Sequence, residues 1–392
     1  MKAYDINPKL DSPLMTTLFS MEALRYELTT GTTPSWLFYD LKEVMHLLES
    51  LASARIEGNH TTLISAANDV VNKGRKTASE ALAELANIRT AIHYIEGNIK
   101  KDSPINLEHI REIHKLTMNG LNANGSRNPG GFISIQVEIT NSDCSLSLPA
   151  SIQAEMQELV EYINTPNEQK YDIIKTACAH HRFTKIHPFD DGNGRTARAL
   201  TYAMLIKQGF LRKNKAIMNP SSIFCIDRKA YYDNLSAADT ATEKGIEQWC
   251  TYVSNGISNE LKRVHKLLDK EYVVSKIMLP ALKISREDSL ISMIDHSILK
   301  IAMEKDIIQA SDIMHLFGST PSDATRCSRH LAKMVGKDLL MKHPRLTKKY
   351  VMRFMNQPLL PSTLQAMGSE GLIPMENKSI GAGRRETVSL AA

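Results

Sequence analysis

Residues 187–198 read His-Pro-Phe-Asp-Asp-Gly-Asn-Gly-Arg-Thr-Ala-Arg, a concentration of groups that can do chemistry. The segment follows an amphipathic stretch ending at Ile186. It precedes an apolar helical run through Leu200, Tyr202, Ala203, Leu205 and Ile206. It therefore reads as a loop between two helices, with its glycines at the second helix's start. A helix N-terminus carries unpaired N–H groups and partial positive charge, which suit an anion. Gly192 and Gly194 let the backbone approach a ligand closely, and Asn193 adds a side-chain donor. Arg195 and Arg198 are spaced to share one face of the first turn. Cations oppose the dipole there, so two of them call for a bound anion. Asp191 supplies a hard oxygen for the Mg²⁺ that accompanies a nucleotide. His187 supplies a base whose ordinary pKa of about 6.5 suits neutral pH. The sum is a polyphosphate site equipped for nucleotide transfer to a hydroxyl.

Other readings of these residues are weaker. Residues 192–197 match the G-x-G-x-x-A dinucleotide pattern, but that pattern requires a preceding strand and a helix precedes it here. His180, His181 and His187 lack the H-E-x-x-H spacing of a zinc site, and His180 reads as a hydrogen-bonded core residue.

The elements that must position this loop are mostly helical. Leu41, Val44, Met45, Leu48 and Leu51 form one apolar stripe. Ser79 is placed to cap a helix carrying Leu82, Leu85, Ile88, Ile92 and Ile95 and closing near Gly97. Further helices are predicted around Leu107–Leu116, Ile152–Ile163 and Ile173–Ile186. Residues 130–149 break the pattern with a period of two, Phe132/Ser134/Gln136 against Ile133/Ile135/Val137, before the turn at Thr140–Asp143. A short hairpin is expected there, lying on the helical body as a structural flap or as an edge that pairs with an extended peptide.

Pro280 to Asp288 reads as a linker into a smaller unit. A helix is predicted from Ile298, a short one capped by Ser311, a turn at Gly318–Thr320, and a longer helix opened by Pro321. Leu339–Met341 and Lys349–Phe354 read as two short strands around a basic loop. That order is a winged helix-turn-helix. The tail from about residue 357 shows little periodicity and is expected to be disordered.

Composition narrows the classes. Of 392 residues, 42% are hydrophobic and 23% charged, which is ordinary globular usage. A net charge of +5 does not by itself argue for a nucleic-acid or membrane partner. The five cysteines, Cys144, Cys178, Cys225, Cys250 and Cys327, form no CxxC pair, so a disulfide framework is not expected and a reducing cytoplasm is. The opening residues lack a secretory h-region, and no apolar run reaches about 18 residues, so no membrane span is expected.

The loop resembles the Fic family motif, HPFx(D/E)GNGRxxR, with every defining position filled. The resemblance extends over roughly residues 35–260: Ala179-His180 and Phe183–Ile186 resemble the helix into the motif. Pro129–Phe132 with the hairpin resembles the flap, and Arg228, Tyr231, Tyr232, Leu235 and Trp249 the segment that follows. It implies a mainly α-helical Fic fold with a small β-hairpin flap, an N-terminal helical extension and, here, a C-terminal winged helix-turn-helix. It also implies transfer of AMP from ATP to a Ser, Thr or Tyr hydroxyl of a target protein, including the chain itself. In that family's terms His187 is the base and Asp191 holds Mg²⁺. Gly192, Asn193 and Gly194 form the anion hole, Arg195 binds the phosphate chain and Arg198 the γ-phosphate. Ile133, Ser134, Ile135, Gln136 and Val137 align the target. Tyr231 and Tyr232 line the adenine side, with Asp239 where some relatives carry Asn. Relatives that phosphorylate carry Lys at the position of Gly194, so Gly194 speaks against kinase-like chemistry.

Ser53-Ala54-Arg55-Ile56-Glu57-Gly58 resembles the family's inhibitory motif, (S/T)xxxE(G/N), as in members that place it ahead of the active site. A carboxylate presented from that helix end would pair with Arg198 in place of the γ-phosphate. Ile-Glu-Gly-Asn occurs at 56–59 and again at 95–98, but Ile92 stands four residues before Glu96, so Glu57 is the candidate. The expected divisions are residues 1–100 with the inhibitory helix, 101–280 catalytic, 290–356 winged-helix-like and 357–392 tail. Expected partners are ATP, a target protein and a second copy of the chain. Two alternatives stay open: removal of AMP through Glu57, and a DNA-binding regulator acting through residues 290–356. The second would use Arg326, Arg329, His330 and Lys333 on the recognition helix and Lys342, Arg345, Lys348 and Lys349 in the wing.

Overall fold

The computed structural model describes residues 4, 6–27, 31–72, 79–122, 125–134, 146–210, 220–354 and 358–373. The chain begins with helix α1 (Pro13–Glu27), followed by α2 (Ser35–Ile56), α3 (Leu63–Asn72), α4 (Glu80–Asn98) and α5 (Leu107–Thr117). The next helices are α6 (Pro149–Asn164), α7 (Asp172–Ile186), α8 (Asn193–Lys207), α9 (Ser221–Ile226), α10 (Arg228–Asp239) and α11 (Glu243–Leu267). Ser79 caps α4 as expected, accepting from the N–H of Leu82.

Helices α7 and α8 lie at the centre, and α8 is buried from Arg195 through Ile206. A helix enclosed on all sides cannot show a clean amphipathic period, which is why this stretch reads as apolar throughout. Helices α4 and α5 pack on α8 from one side and α11 packs on α7 from the other. Leu41, Val44, Met45, Leu48 and Leu51 are buried and turn α2 onto α4 and α9. The short Tyr4 hydroxyl contact to His181 Nδ1, 2.7 Å, ties the start of the chain to α7.

The expected linker at Pro280–Asp288 is instead helical. The single turn α12 (Lys270–Tyr272) runs through a π-turn at Val273–Met278 into α13 (Leu279–Glu287). Pro280 sits in the first turn of α13, directly after the π-turn, and Ala281 and Leu282 are buried. The smaller unit then follows the expected order with shifted caps. Ser292 caps α14 (Met293–Lys305), Gln309 rather than Ser311 caps α15 (Ala310–Ile313), and Thr320 caps α16 (Pro321–Gly336). Strand β1 (Ile308–Gln309), which carries no sequence signal at two residues, joins β2 (Leu340–Lys342) and β3 (Lys349–Met352) in an antiparallel sheet of order β1-β3-β2. On α16 His330 pairs with Asp295 and Arg326 with Asp323, while Arg329 and Lys333 are exposed.

The tail departs from expectation as well. Residues 360–369 form α17 (Leu360–Ser369), with Leu360, Leu364 and Met367 buried against α13 and the π-turn. Two neighbouring prolines and small residues hide the helical period in the sequence, and tertiary burial supplies what propensity does not. Among the described residues no helix is long and apolar enough to cross a membrane.

Candidate active site

The site is built where α7 ends and α8 begins. His187 closes α7 with φ of 53°, a left-handed turn that ends the helix and leads the chain toward Pro188. Its Nδ1 lies 3.3 Å from the carbonyl of Thr184. With the proton placed there, the lone pair resides on Nε2, the nitrogen left to act as base. Burial lowers the His187 pKa, opposed by the Thr184 carbonyl and the charges of Asp191 and Glu57.

The loop is held from within. Asn193 accepts from the Phe189 N–H at 3.0 Å and donates to the Phe189 carbonyl at 2.7 Å. Its side chain thus shapes the loop, instead of offering the free donor expected from sequence. Gly192 has φ of 74°, and a Cβ there would meet Met118 Sδ at 2.3 Å. Gly192 provides no side-chain cap for α8, so the helix presents its first-turn N–H groups at the loop. A Cβ on Gly194 would lie 2.5 Å from Glu57 Oε1 and 3.1 Å from Arg198 Nη1, so only glycine leaves this approach open.

The charged groups fall into two clusters. Arg195 is buried and pairs with Glu84 of α4 at 2.8 Å and with Asp191 at 3.2 Å. Asp191 spends Oδ1 on Arg195 and the Gly192 N–H but remains partly exposed. One carboxylate at the mouth of an anion-receiving turn fits a Mg²⁺ that takes its remaining ligands from phosphates and water. Arg198 is gripped from the end of α2. Nε donates to Ser53 Oγ at 3.0 Å, and Nη2 to the Ser53 carbonyl at 3.1 Å and Glu57 Oε1 at 2.7 Å. Burial raises the Glu57 pKa, but the Arg198 charge and hydrogen bond outweigh it and hold the carboxyl below its usual range.

The other residues singled out in the sequence fall as follows. Tyr231 is buried, with its hydroxyl 3.0 Å from His180 Nε2, so it stands behind Arg198 and not at an open surface. Tyr232 is exposed, with Arg228 over its ring. His180 also bonds Thr201, and burial lowers its pKa to about 3, in keeping with a core role. The Ile133 N–H donates to the Pro188 carbonyl at 2.9 Å, tying this segment to the loop; residues 130–134 form no strand, and most of the expected hairpin lies outside the described residues. Ser134 is exposed, and Ile135, Gln136 and Val137 lie outside the described residues. The second Ile-Glu-Gly-Asn copy puts Glu96 against Lys42, His46 and Tyr202, away from Arg198.

Three residues of the site escaped the sequence reading. His114 of α5 receives the Gly130 N–H on Nδ1 at 2.8 Å and donates from Nε2 to the Asp191 carbonyl at 2.9 Å. It stacks on Phe189 at 3.7 Å, and burial lowers its pKa to about 4, so a neutral ring joins flap to loop. Glu84 holds Arg195. Glu49 of α2 accepts from the Ser221 N–H at 2.9 Å and the Ser221 hydroxyl at the start of α9. All three are polar residues on apolar helix faces, the one signal that could have found them.

A helical bundle whose central helix pair is joined by a loop with an uncapped helix start, carrying an imidazole and a partly exposed carboxylate, is the class these features define. The comparisons show what this region is similar to. Residues 104–205 match the family model described as Fic/DOC family, and the chain carries a Fic domain there. It is 27% identical over 238 residues to "Protein adenylyltransferase Fic" of Nematostella vectensis, covering 59% of this chain and 51% of that one. It is 24% identical over 194 residues to "Protein adenylyltransferase fic-1" of Caenorhabditis elegans, covering 47% and 35%. The chain therefore spans about half the length, or less, of these curated relatives. A solved Fic family protein from Desulfovibrio desulfuricans G20 superposes with a TM-score of 0.54 at 17% identity, covering 90% of this chain and 98% of that one. Fic-1 of C. elegans, residues 134–508, gives 0.52 at 20%, covering 64% and 71%. Those two likenesses concern the fold.

Proposed function

We propose that the chain is an autoinhibited protein adenylyltransferase that moves AMP from ATP to a hydroxyl of a target protein and of itself. The observation that carries this reading is the hold of Ser53 and Glu57 on Arg198, beside a helix N-terminus with no side-chain cap. The phosphates lie over the first turn of α8, with Arg195 behind them. Nε2 of His187 takes the hydroxyl proton as the oxygen attacks the α-phosphorus. The bond from that phosphorus to the bridging oxygen breaks, and pyrophosphate leaves. Mg²⁺ on Asp191 would neutralise phosphate charge. The target segment pairs with the flap that starts at Ile133. Glu57 occupies the guanidinium otherwise available to the γ-phosphate, so bound ATP is left without an aligned α-phosphate. Residues 293–352 serve as a winged-helix module that docks on this enzyme.

The test is labelling with α-labelled ATP and Mg²⁺. Glu57→Gly should raise incorporation tenfold or more, a change of about 1.4 kcal/mol in barrier. His187→Ala should lower it by about 10²–10⁴-fold. Equal labelling by the parent chain and the Glu57 variant would remove the inhibitory role, and an active His187 variant would remove the base. Release of AMP from a modified target only when Glu57 is intact would favour the reverse reaction, with Glu57 orienting water.

A further inference from the structure

Helices α2 and α4 bring together a second group of side chains with no part in the chemistry above. Glu43 and His46 lie one turn apart on α2, and His93 and Glu96 one turn apart on α4. Among the described residues, Glu43, His46 and His93 are the set whose ligand atoms all fall within 4.8 Å of one another. The two imidazoles meet edge-on, with centroids 5.0 Å apart.

His46 makes this more than a surface coincidence. It is 1% exposed, and its Nε2 lies 2.9 Å from Glu96 Oε1. Glu96 is itself fixed by Lys42 and by the Tyr202 hydroxyl of α8 at 2.7 Å. A carboxylate only accepts, so Nε2 carries the proton and the ring's lone pair sits on Nδ1. That Nδ1 is buried and has no hydrogen-bond partner among the described residues. A buried polar atom left unpaired is costly, and coordination is one way to satisfy it. A carboxylate that receives one imidazole N–H while the other nitrogen binds an ion is the usual support of a metal-bound histidine.

We propose that Glu43, Nδ1 of His46 and His93 bind a first-row divalent transition ion, with Zn²⁺ the best match. Two imidazoles and one carboxylate suit such an ion and not Mg²⁺, which takes oxygen ligands. Three protein ligands leave a fourth position to water. Tetrahedral bonds near 2.1 Å require ligand atoms about 3.4 Å apart, so the set must draw in. Glu43 and His93 are exposed at the surface and can swing inward, while His46 stays fixed. The ion would clamp α2 to α4, that is, the helix that grips Arg198 to the helix that holds Arg195. This last consequence rests on the proposed function; the binding itself does not.

The experiment uses the untagged chain, stripped with a chelator and titrated with Co²⁺ alone, without nucleotide or Mg²⁺. One equivalent should bind with the visible absorption of tetrahedral cobalt, and Zn²⁺ should bleach it. Zn²⁺ should also raise the thermal midpoint by several degrees. His93→Ala and Glu43→Gln alter exposed side chains and should keep the parent circular dichroism spectrum. Each should weaken binding at least tenfold and abolish the thermal shift. No saturable binding by the parent chain would overturn the site, as would parent-like affinity in either variant.

Discussion

His187 serves as a base only in its neutral form, and its surroundings favour that form. Burial penalises the imidazolium more than Thr184, Asp191 and Glu57 stabilise it. A lowered pKa means the neutral base persists to lower pH, and the rate falls only as pH drops through that pKa. The acid limb of the labelling profile, measured on Glu57→Gly, should therefore have its midpoint below 6.5. Removing the Glu57 carboxylate takes away a charge that raises this pKa, so the variant moves further in the same direction. A midpoint above 6.5 would contradict the buried setting. Arg195 shows a different use of charge. Its guanidinium is buried against Glu84, which also receives a hydrogen bond from Asn59. Glu84→Ala would remove an acid partner from that buried cation, and should cost roughly 3–5 kcal/mol in urea unfolding. An unchanged midpoint would mean that Glu84 plays no such part.

At the scale of elements, α2 has several duties. Ser53 and Glu57 at its end take Arg198, and Glu49 one turn earlier receives α9. Burial raises the Glu49 pKa to about 8; hydrogen bonds from Ser221 oppose the shift and the charge of Glu260 adds to it. The sign follows from the two end states. Below about 4.5 the carboxyl is protonated whether folded or unfolded, and its contribution is fully present. Between there and about 8 the unfolded chain loses the proton while the folded chain keeps it, so stability falls as pH rises. The loss from this group is at most about 1.4 kcal/mol per pH unit. Glu49→Gln should flatten the decline across that window in urea midpoints taken at several pH values. Parallel curves for parent and variant would show that Glu49 is not buried as a neutral acid. The first turn of α8 matters in a complementary way, since Gly192 and Gly194 leave room that any side chain would fill.

Over the whole molecule, the C-terminal unit returns to the main helical body through α2. The Phe354 N–H donates to Asp40 at 2.7 Å, and Lys270 pairs with Asp306. Helix α17 closes the arrangement against α13, with Ser362 bonded to Ser285 at 2.8 Å. Leu364→Ala should cost about 2–5 kcal/mol in chemical unfolding, as a buried leucine does, whereas a tail outside the fold would show no effect.

Local chemistry alone placed much of this. The spacing from His187 to Arg198 announces a base, a carboxylate and an anion-receiving turn because those roles depend on residue type and on a helix start. The Ser79 cap and the apolar stripe of α2 are equally local, being written in periods of one or two turns. What the sequence could not determine depends on distant partners. Whether Asn193 faces a ligand or Phe189, whether Tyr231 lines a surface or backs Arg198, and which acid holds Arg195 are decided by packing. So is the order of residues 279–287 and 360–369, where prolines weaken the local signal and burial restores the helix. The pairing of Glu57 with Arg198, 141 positions along the chain, was suggested by a motif. It became a distance only once α2 was laid across the start of α8, because a charge in water has no preferred partner and a buried one must find it.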